Sequence, residues 1–266
     1  MSGSYREYRT VAERAAVEAG RILLDSYGKV SAREKAPGDL VTEADSASQR
    51  RIAQILAEAF PDHTLLAEED GVVPDPDNLW RWVVDPLDGT VNFAHNFPFW
   101  CVSIALEHAG ELVVGVIHNP LTGQTFAGSK GEGAEVDGRS LRVSKATGLH
   151  ESLISTGWPT PFESDADRTI EHARRMSTGT HSIRRTGSTA LNLAYVASGA
   201  FDVFYATSIH PWDVAAGVVL VREAGGTVTL LDGLSYDMYR RELLASNGNV
   251  HASAVEALRT AGLDPQ

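Results

Sequence analysis

The sequence predicts an α/β protein of the mixed α+β kind, and three features of the chain lead to this prediction. Residues 101–138 contain apolar runs separated by short Gly-containing turns, a pattern typical of an antiparallel meander. From about residue 150, strand-like and helix-like segments alternate, which is typical of an α/β layer. No Pro/Gly/Ser-rich linker separates these regions, so we expect residues 1–148 and 149–266 to form two halves packed as one unit.

The first half is predicted to begin with two helices. Residues 5–28 place apolar residues near a 3.6-residue period, and Gly28 ends that helix. A second helix starts at "TEAD", where Thr42 can cap the backbone and Asp45 occupies the capping-box position, and it runs up to Pro61.

Strands are then predicted for the rest of the first half. "HTLLAEE" and "RWVVD" each run apolar residues into carboxylates, and "CVSIALEHAGELVVGVIHNP" predicts two strands joined around Ala109 and Gly110. "QTFAGSKGEGAEVDG" continues the meander, so we expect an antiparallel sheet. In the second half, the strands "SLISTG", "SIRRTG", "DVFYA" and "GTVTLL" alternate with helices predicted over 164–177, 188–198 and 211–224.

Net charge, cysteine count and the length of apolar runs exclude several kinds of partner and site. The 266-residue chain has a net charge of -12 and no basic stripe, so nucleic acid is not an expected partner. Cys101 is the only cysteine, which excludes an intrachain disulfide and a zinc site built on several thiolates. No apolar run approaches membrane-spanning length and the N-terminal residues lack a signal pattern, so we expect a soluble cytoplasmic protein with no membrane partner.

Carboxylates stand at the ends of several predicted elements: Asp45, Glu68 with Glu69, Asp85 with Asp88, and Asp213. Taken singly, a helix cap, a solvated strand end or a helix N-terminus accounts for Asp45, Glu68 and Asp213. The pair Asp85 and Asp88 is different, because "DPLDGT" follows a hydrophobic strand that delivers both acids to the edge of the core.

A divalent cation explains that pair. Mg²⁺ prefers one or two carboxylates together with phosphate oxygens and water, and two metals about 3.5–4 Å apart can bracket a phosphoryl transfer. Gly89 permits close backbone approach, and neighbouring N–H groups can face an anion. Asp85 and Asp88 do not match the D-x-D motif of aspartyl-phosphate hydrolases, because Pro86 and Leu87 both stand between them. An EF-hand loop starting at Asp75 lacks its Gly and its Glu, and no G-x-S-x-G elbow occurs in the sequence.

Two long motifs, "DPLDGTVNFAHNFP" and "PWDVAAGVVLVREAGG", resemble the signatures of the inositol monophosphatase family. "GDLVTEAD", "LLAEE", "GVIHNP", "GEGAEVDG" and "RRTGSTALNLAYVASGAFD" follow the family's order, so the resemblance covers nearly the whole chain. It implies a layered α-β-α-β-α sandwich of the inositol monophosphatase and fructose-1,6-bisphosphatase type. It also implies a homodimer and a Mg²⁺-dependent, lithium-sensitive phosphomonoesterase.

The resemblance also implies ligands for two or three Mg²⁺ ions, for which Mn²⁺ could substitute. Glu68, Asp85 and the Leu87 carbonyl would hold the first ion. Asp85 would bridge to a second ion, completed by Asp88 and Asp213.

Further roles concern the third ion, the phosphate and the attacking water. A third, weaker ion would lie near Glu68, with Asp45 close by. Gly89 and Thr90 would bind phosphate through backbone N–H groups, and Thr90 with Glu68 would orient the attacking water. Asp88 is expected to be catalytic together with Glu68 and Thr90.

Substrate choice stays open at the level of sequence. The resemblance implies a pocket that includes Thr156, Gly157, Gly187, Ser188, Thr189, Ala206 and Asp213. Many inositol-phosphate members have a Glu at the position of Ala206, seven residues before Asp213, and an alanine cannot accept a hydrogen bond from a substrate hydroxyl. Inositol-1-phosphate is the first candidate, followed by histidinol phosphate and then a sugar phosphate, bisphosphate or nucleotide 3′-phosphate. A non-catalytic, metal-binding regulatory protein is the alternative from another class.

Overall fold

A computed structural model describes residues 4–29, 33–36, 39–68, 78–158 and 166–259, with the backbone alone for 33–36 and 39–41. The first helical layer consists of α1 (Arg6–Ser26) and α2 (Glu43–Ala59), and between them lies the short antiparallel pair β1 (Arg33–Ala36) and β2 (Asp39–Val41). The predicted capping box begins α2: the Thr42 N–H donates to Asp45 Oδ2 over 2.9 Å, and the Thr42 hydroxyl accepts from the Asp45 N–H. Both helices bury an alanine- and isoleucine-rich face against the first sheet.

The first sheet has seven strands in chain order: β3 (Thr64–Ala67), β4 (Trp80–Asp88), β5 (Cys101–His108), β6 (Glu111–Asn119), β7 (Gln124–Ser129), β8 (Gly133–Val136) and β9 (Arg139–Ser140). The meander predicted over residues 101–138 is confirmed by β5 to β8, and every pair from β4 to β9 is antiparallel. Strand β3 pairs parallel to β4, a direction that the sequence analysis did not predict. Because parallel strands end at the same edge of a sheet, this pairing brings Glu68 beside the end of β4.

The second sheet has the strand order β11-β10-β12-β14-β13. Its strands are β10 (Leu153–Thr156), β11 (Ser182–Arg184), β12 (Val203–Thr207), β13 (Thr227–Thr229) and β14 (Glu242–Ser246). The first three in the order are parallel, whereas β14 runs antiparallel to both of its neighbours. The chain crosses from one sheet to the other between Ser140 and Leu153.

The described residues contain five further α-helices: α3 (Thr90–Ala94), α4 (Ala166–Ser177), α5 (Thr189–Ala197), α6 (Pro211–Glu223) and α7 (His251–Leu258). Helices α5 and α6 contact both sheets and lie between them, while α4 and α7 pack on the outer face of the second sheet. The expected layered α-β-α-β-α sandwich is therefore confirmed. The predicted helices over 188–198 and 211–224 are present, and residues 164 and 165 of the predicted helix over 164–177 lie outside the described residues.

Close packing in the central layer depends on two glycines. A Cβ on Gly115 of β6 would lie 2.4 Å from the Ala216 carbonyl oxygen of α6. A Cβ on Gly217 of α6 would lie 2.4 Å from Leu193 Cβ of α5. The absence of these side chains lets α6 sit directly against β6 and α5, which fixes the position of Asp213 in its first turn. Within the described ranges, no helix is long and apolar enough to cross a membrane.

Candidate active site

The centre of the site is the C-terminal end of β4. This strand is buried, and its pairing with β5 is interrupted by an irregularity between Asp85 and Asp88, where Pro86 has no N–H to donate to the sheet. The Leu87 N–H turns back to donate to Asp85 Oδ1 over 2.9 Å, and Ser48 Oγ donates to the Pro86 carbonyl over 2.8 Å. These bonds hold Asp85 at the edge of the core, where its side chain is nearly inaccessible to solvent.

Four carboxylates at the end of β4 lie close enough to affect the ionisation of one another. Burial raises the pKa of Asp85 well above its usual value, and the charges of Glu68, Asp88 and Asp213 raise it further, against the Leu87 N–H bond that lowers it. Since each of these acids disfavours ionisation of Asp85, the cluster is well suited to a cation, which would relieve the repulsion.

Asp88 is held by the N-terminus of α5. Its carboxylate accepts from the Ser188 hydroxyl, from the Thr189 N–H over 3.1 Å and from the Ala190 N–H over 2.9 Å. Burial still raises its pKa, although these bonds oppose the rise. The Cys101 thiol lies 3.6 Å from the same carboxylate, and burial followed by the charge of Asp88 raises the pKa of that thiol.

Asp213 reaches the cluster from the first turn of α6. Pro211 occupies the first helical position, and the His210 N–H donates to Asp213 Oδ2 over 2.7 Å. Burial raises the pKa of Asp213 well above its usual value, as do the charges of Asp88 and Glu68, while the His210 bond and Arg241 lower it.

Asp45 and Glu68 approach from the first helical layer and from β3. Thr90 Oγ1 lies 3.3 Å from Asp45 Oδ1 and 3.1 Å from the Leu87 carbonyl oxygen, so it joins α2 to the β4 turn. Glu68 follows β3 and is half-buried, and its N–H donates to the Val84 carbonyl over 3.3 Å.

Gly89 makes the turn from β4 into α3. Its φ of 96° lies in the left-handed region, and a Cβ there would be 3.0 Å from the Phe99 carbonyl oxygen and 3.2 Å from Trp100 Cβ. Only glycine combines that conformation with that close approach. The sequence analysis singled out this residue for backbone approach, and the structure places it directly after Asp88.

A cavity of about 180 Å³ adjoins the carboxylates. Five of its lining residues were predicted from the sequence: Thr156, Gly157, Gly187, Ser188 and Thr189. The sequence analysis did not predict the other five: Val91, Asn92, Trp158, Arg185 and Asn192. Trp158 follows the predicted Gly157, and Arg185 precedes the predicted Gly187 by two residues. This proximity in sequence was the one signal that could have identified them as lining residues.

Ala206 does not line this cavity. It is completely buried in β12, and a Cβ on Gly157 would lie 3.1 Å from Ala206 Cβ. The residue therefore stands behind the wall that Gly157 forms, and it acts on the cavity only through the position of that glycine.

The donor set fits Mg²⁺ in its chemistry. The candidates at this edge, Asp45, Glu68, Asp85, Asp88, Asp213 and the Leu87 carbonyl, offer oxygen atoms alone, which hard cations prefer. Within the described part of the chain, however, no three His, Cys, Asp or Glu side chains are drawn together closely enough to hold an ion as they stand. The hydrogen bonds above occupy oxygen atoms of Asp45, Asp85, Asp88 and Asp213 with N–H and O–H donors.

Similar proteins share this sequence and fold. The family model of the inositol monophosphatase family matches residues 4–263. An inositol-1-monophosphatase of Synechocystis sp. is 39% identical over 93% of this chain and 87% of its own length. A fructose-1,6-bisphosphatase/inositol-1-monophosphatase of Thermotoga maritima is 39% identical over 91% of both chains. A protein of Salmonella typhimurium named Nus factor SuhB is 37% identical over 94% of this chain and 95% of its own.

Two solved structures extend the similarity to the fold. The extragenic suppressor protein SuhB of Bartonella henselae superposes with a TM-score of 0.92 at 37% identity, covering 96% of this chain and 99% of that one. The inositol monophosphatase of Anabaena sp. gives a TM-score of 0.87 at 38% identity, with 95% of each chain covered. The family model and these relatives, which match nearly the whole chain, show that the chain belongs to the inositol monophosphatase family and is a phosphoric monoester hydrolase.

Proposed function

We propose that this protein hydrolyses a small phosphorylated metabolite with Mg²⁺ as cofactor, and that inositol-1-phosphate is the first candidate substrate. One observation carries the proposal: Glu68, Asp88 and Asp213 all act on the buried carboxylate of Asp85 at the end of β4, beside a cavity. Relatives that cover most of this chain are named inositol-1-monophosphatase, which favours that substrate among the candidates.

The carboxylates would hold two or three Mg²⁺ ions. Glu68, Asp85 and the Leu87 carbonyl are the proposed ligands of the first ion, and Asp85, Asp88 and Asp213 those of the second. Mg²⁺ would supply positive charge toward the phosphate oxygens and lower the pKa of a water molecule. Mn²⁺ prefers similar oxygen ligands and would substitute. Asp45, bonded to Thr42, would stand beside a third ion.

Other groups would act on the phosphate and the water. Gly89 gives the phosphate close access to backbone N–H groups at the start of α3. Thr90 Oγ1 lies between Asp45 and the Leu87 carbonyl, where its hydroxyl can hold a water molecule together with Glu68. Water attack on phosphorus needs no covalent intermediate with the protein, and the preorganised charges would stabilise the transition state.

Several other substrates remain within this proposal. A sugar bisphosphate is supported by the Thermotoga maritima relative, whose name includes fructose-1,6-bisphosphatase. Histidinol phosphate and a nucleotide 3′-phosphate are further candidates from the sequence. Ala206, buried behind Gly157, offers no hydroxyl acceptor to any of them.

Partners and assembly are proposed on the same basis. We propose a cytoplasmic homodimer that binds no nucleic acid, since the net charge of -12 disfavours a phosphate backbone, and we propose inhibition by lithium. The name Nus factor SuhB, carried by relatives at 36–37% identity, supports a second role as a regulatory protein that acts through a partner.

Phosphate release with Mg²⁺ tests the proposed function. The panel holds inositol-1-phosphate, histidinol phosphate, fructose-1,6-bisphosphate, a nucleoside 3′,5′-bisphosphate and glycerol-2-phosphate. Asp88→Asn should lower kcat by about 100-fold or more on every substrate, because several kcal/mol of charge stabilisation are lost. The exposed Asp62→Asn loses the same charge and should behave as the wild type. Unchanged turnover in Asp88→Asn would refute the assignment of the metal ligands.

A further inference from the structure

The cavity beside the acidic cluster has two chemically different sides. On the side nearest the cluster lie Ser188 and Thr189, which both donate hydrogen bonds to Asp88. Trp158 and Arg185 also line the cavity. Among its lining residues in the described ranges, Arg185 is the only charged one. A cation therefore lines the cavity whose wall also includes the two residues bonded to Asp88.

The guanidinium of Arg185 is oriented but not neutralised. Its Cζ lies 5.2 Å from the centre of the Trp158 ring. Stacking on an aromatic face leaves the in-plane N–H donors of an arginine available to a planar or tetrahedral anion. No carboxylate in the described part of the chain forms an ion pair with Arg185.

The neighbouring arginine provides a contrast. Arg184 does not line the cavity, and its guanidinium donates to Ser182 Oγ and to the Ile183 carbonyl. The two adjacent arginines thus differ in their surroundings: the guanidinium of Arg184 bonds to its own strand, whereas Arg185 lines the cavity. This difference makes Arg184 a matched control for any effect of charge alone.

We propose that Arg185 is a specificity-determining residue, which makes the site prefer phosphomonoesters whose leaving group carries a second anionic group, a phosphate or a carboxylate. In a protein with a net charge of -12, an anionic substrate needs a local cation to offset long-range repulsion. A guanidinium binds phosphate or carboxylate through two parallel N–H bonds, which fixes the leaving group as well as attracting it.

The inference rests on the proposed function, because it concerns the other end of the same substrate. Water adds to phosphorus, the bond between phosphorus and the leaving oxygen breaks, and that oxygen takes a proton. The products are inorganic phosphate and an alcohol that still carries its second anion. A place follows in a reaction sequence: the site would convert a bisphosphate to a monophosphate, or a phosphorylated hydroxy acid to the free hydroxy acid.

Two substrate pairs test the inference in the full-length protein with Mg²⁺. Glycerol-2-phosphate and 2-phosphoglycerate differ by a hydroxymethyl group against a carboxylate, and fructose-1-phosphate and fructose-1,6-bisphosphate differ by the second phosphate. The readout is the ratio of kcat/KM, anionic over neutral, within each pair. The wild type should favour the anionic member of at least one pair, and that pair identifies the second anion as phosphate or carboxylate.

Arg185→Gln should lower that ratio by about 10- to 100-fold, the effect of losing a hydrogen bond between charged groups. For Arg185→Lys the ratio should lie between that of the wild type and that of Arg185→Gln, because lysine keeps a point charge but lacks the planar guanidinium. Arg184→Gln removes the same charge and should change the ratio by less than about fivefold, as an exposed surface charge does.

The outcomes separate the two proposals. Hydrolysis of the neutral substrates with a ratio that Arg185→Gln leaves unmoved would refute the role of Arg185 alone. An equal fall in Arg184→Gln would also refute it, because the effect would then be one of general charge. Absence of Mg²⁺-dependent hydrolysis on every substrate would refute the proposed function itself, and this inference with it.

Discussion

The residue that best shows how the site is assembled is Ser188. Its hydroxyl donates to Asp88 and also accepts from the Leu191 N–H, so the same atom caps α5 and holds a candidate metal ligand. The bond from Ser188 is the strongest of those that lower the pKa of Asp88 against the effect of burial. Stability of the helix and charge of the site are therefore joined in a single side chain.

Replacing that hydroxyl should affect both properties. Ser188→Ala should lower the free energy of unfolding by about 1 kcal/mol, the usual value of an N-cap, and should raise the Mg²⁺ concentration needed for half-maximal activity. Denaturant unfolding and Mg²⁺ titration of phosphate release measure the two effects. Ser198→Ala, at the other end of α5, removes only a bond to the Tyr195 carbonyl and should leave the Mg²⁺ titration unchanged. A loss of stability without a change in the Mg²⁺ titration would contradict the link to Asp88.

Local sequence predicts some of these residues and not others. The capping box of Thr42 and Asp45 was predicted, since its two residues are three apart and its chemistry is local. The bond between Ser188 and Asp88 joins residues one hundred positions apart, and no local pattern records it. Trp158 and Arg185 were missed for the same reason, because the cavity exists only after the second sheet has formed.

At the scale of elements, burial of a histidine sets the pH dependence of the outer layer. His172 of α4 is almost completely buried and meets the ring of Tyr205 of β12 edge-on at 6.2 Å between centroids. Burial, followed by the charge of Arg168, lowers its pKa to about 4, although a hydrogen bond to the Leu258 backbone opposes the shift. The neutral ring is thus part of the packing between α4, β12 and α7.

Acid should loosen this layer. The unfolded chain binds a proton at His172 below about pH 6.5, whereas the folded protein does not until about pH 4, so stability falls as the pH falls through this window. The contribution of His172 between pH 7 and pH 5 is about 2 kcal/mol. The free energy of unfolding should therefore depend less on pH in His172→Gln than in the wild type. The exposed His150→Gln serves as the control, and equal pH dependence in wild type and His172→Gln would contradict the account.

The length of an element decides whether the sequence predicts it. Long amphipathic helices and the meander were predicted, because their periods repeat many times. Helix α3 has five residues, too few to show a period. The residue pattern of a strand does not indicate its direction, so the parallel pairing of β3 with β4 was not predicted. Strand β14 and helix α7 follow a long loop and were not predicted.

At the scale of the whole molecule, the site exists only where the layers meet. The end of β4 supplies Asp85 and Asp88, β3 leads to Glu68, and α6 supplies Asp213 from the layer between the sheets. Gly115 and Gly217 bring α6 close enough for this meeting. The fold therefore brings together carboxylates that repel one another unless a cation neutralises them.

The most direct test of this account is the stability of wild type and Asp85→Asn with and without Mg²⁺ at about pH 8. Removing the charge should make the EDTA-treated Asp85→Asn protein more stable than the wild type, because the raised pKa of Asp85 means that its ionised form opposes folding. Mg²⁺ at about 100 times its dissociation constant should stabilise the wild type by about 2.7 kcal/mol and Asp85→Asn much less. A wild type that is the more stable protein in EDTA, or equal stabilisation of both proteins by Mg²⁺, would contradict the claim that this acidic cluster is built to hold the metal.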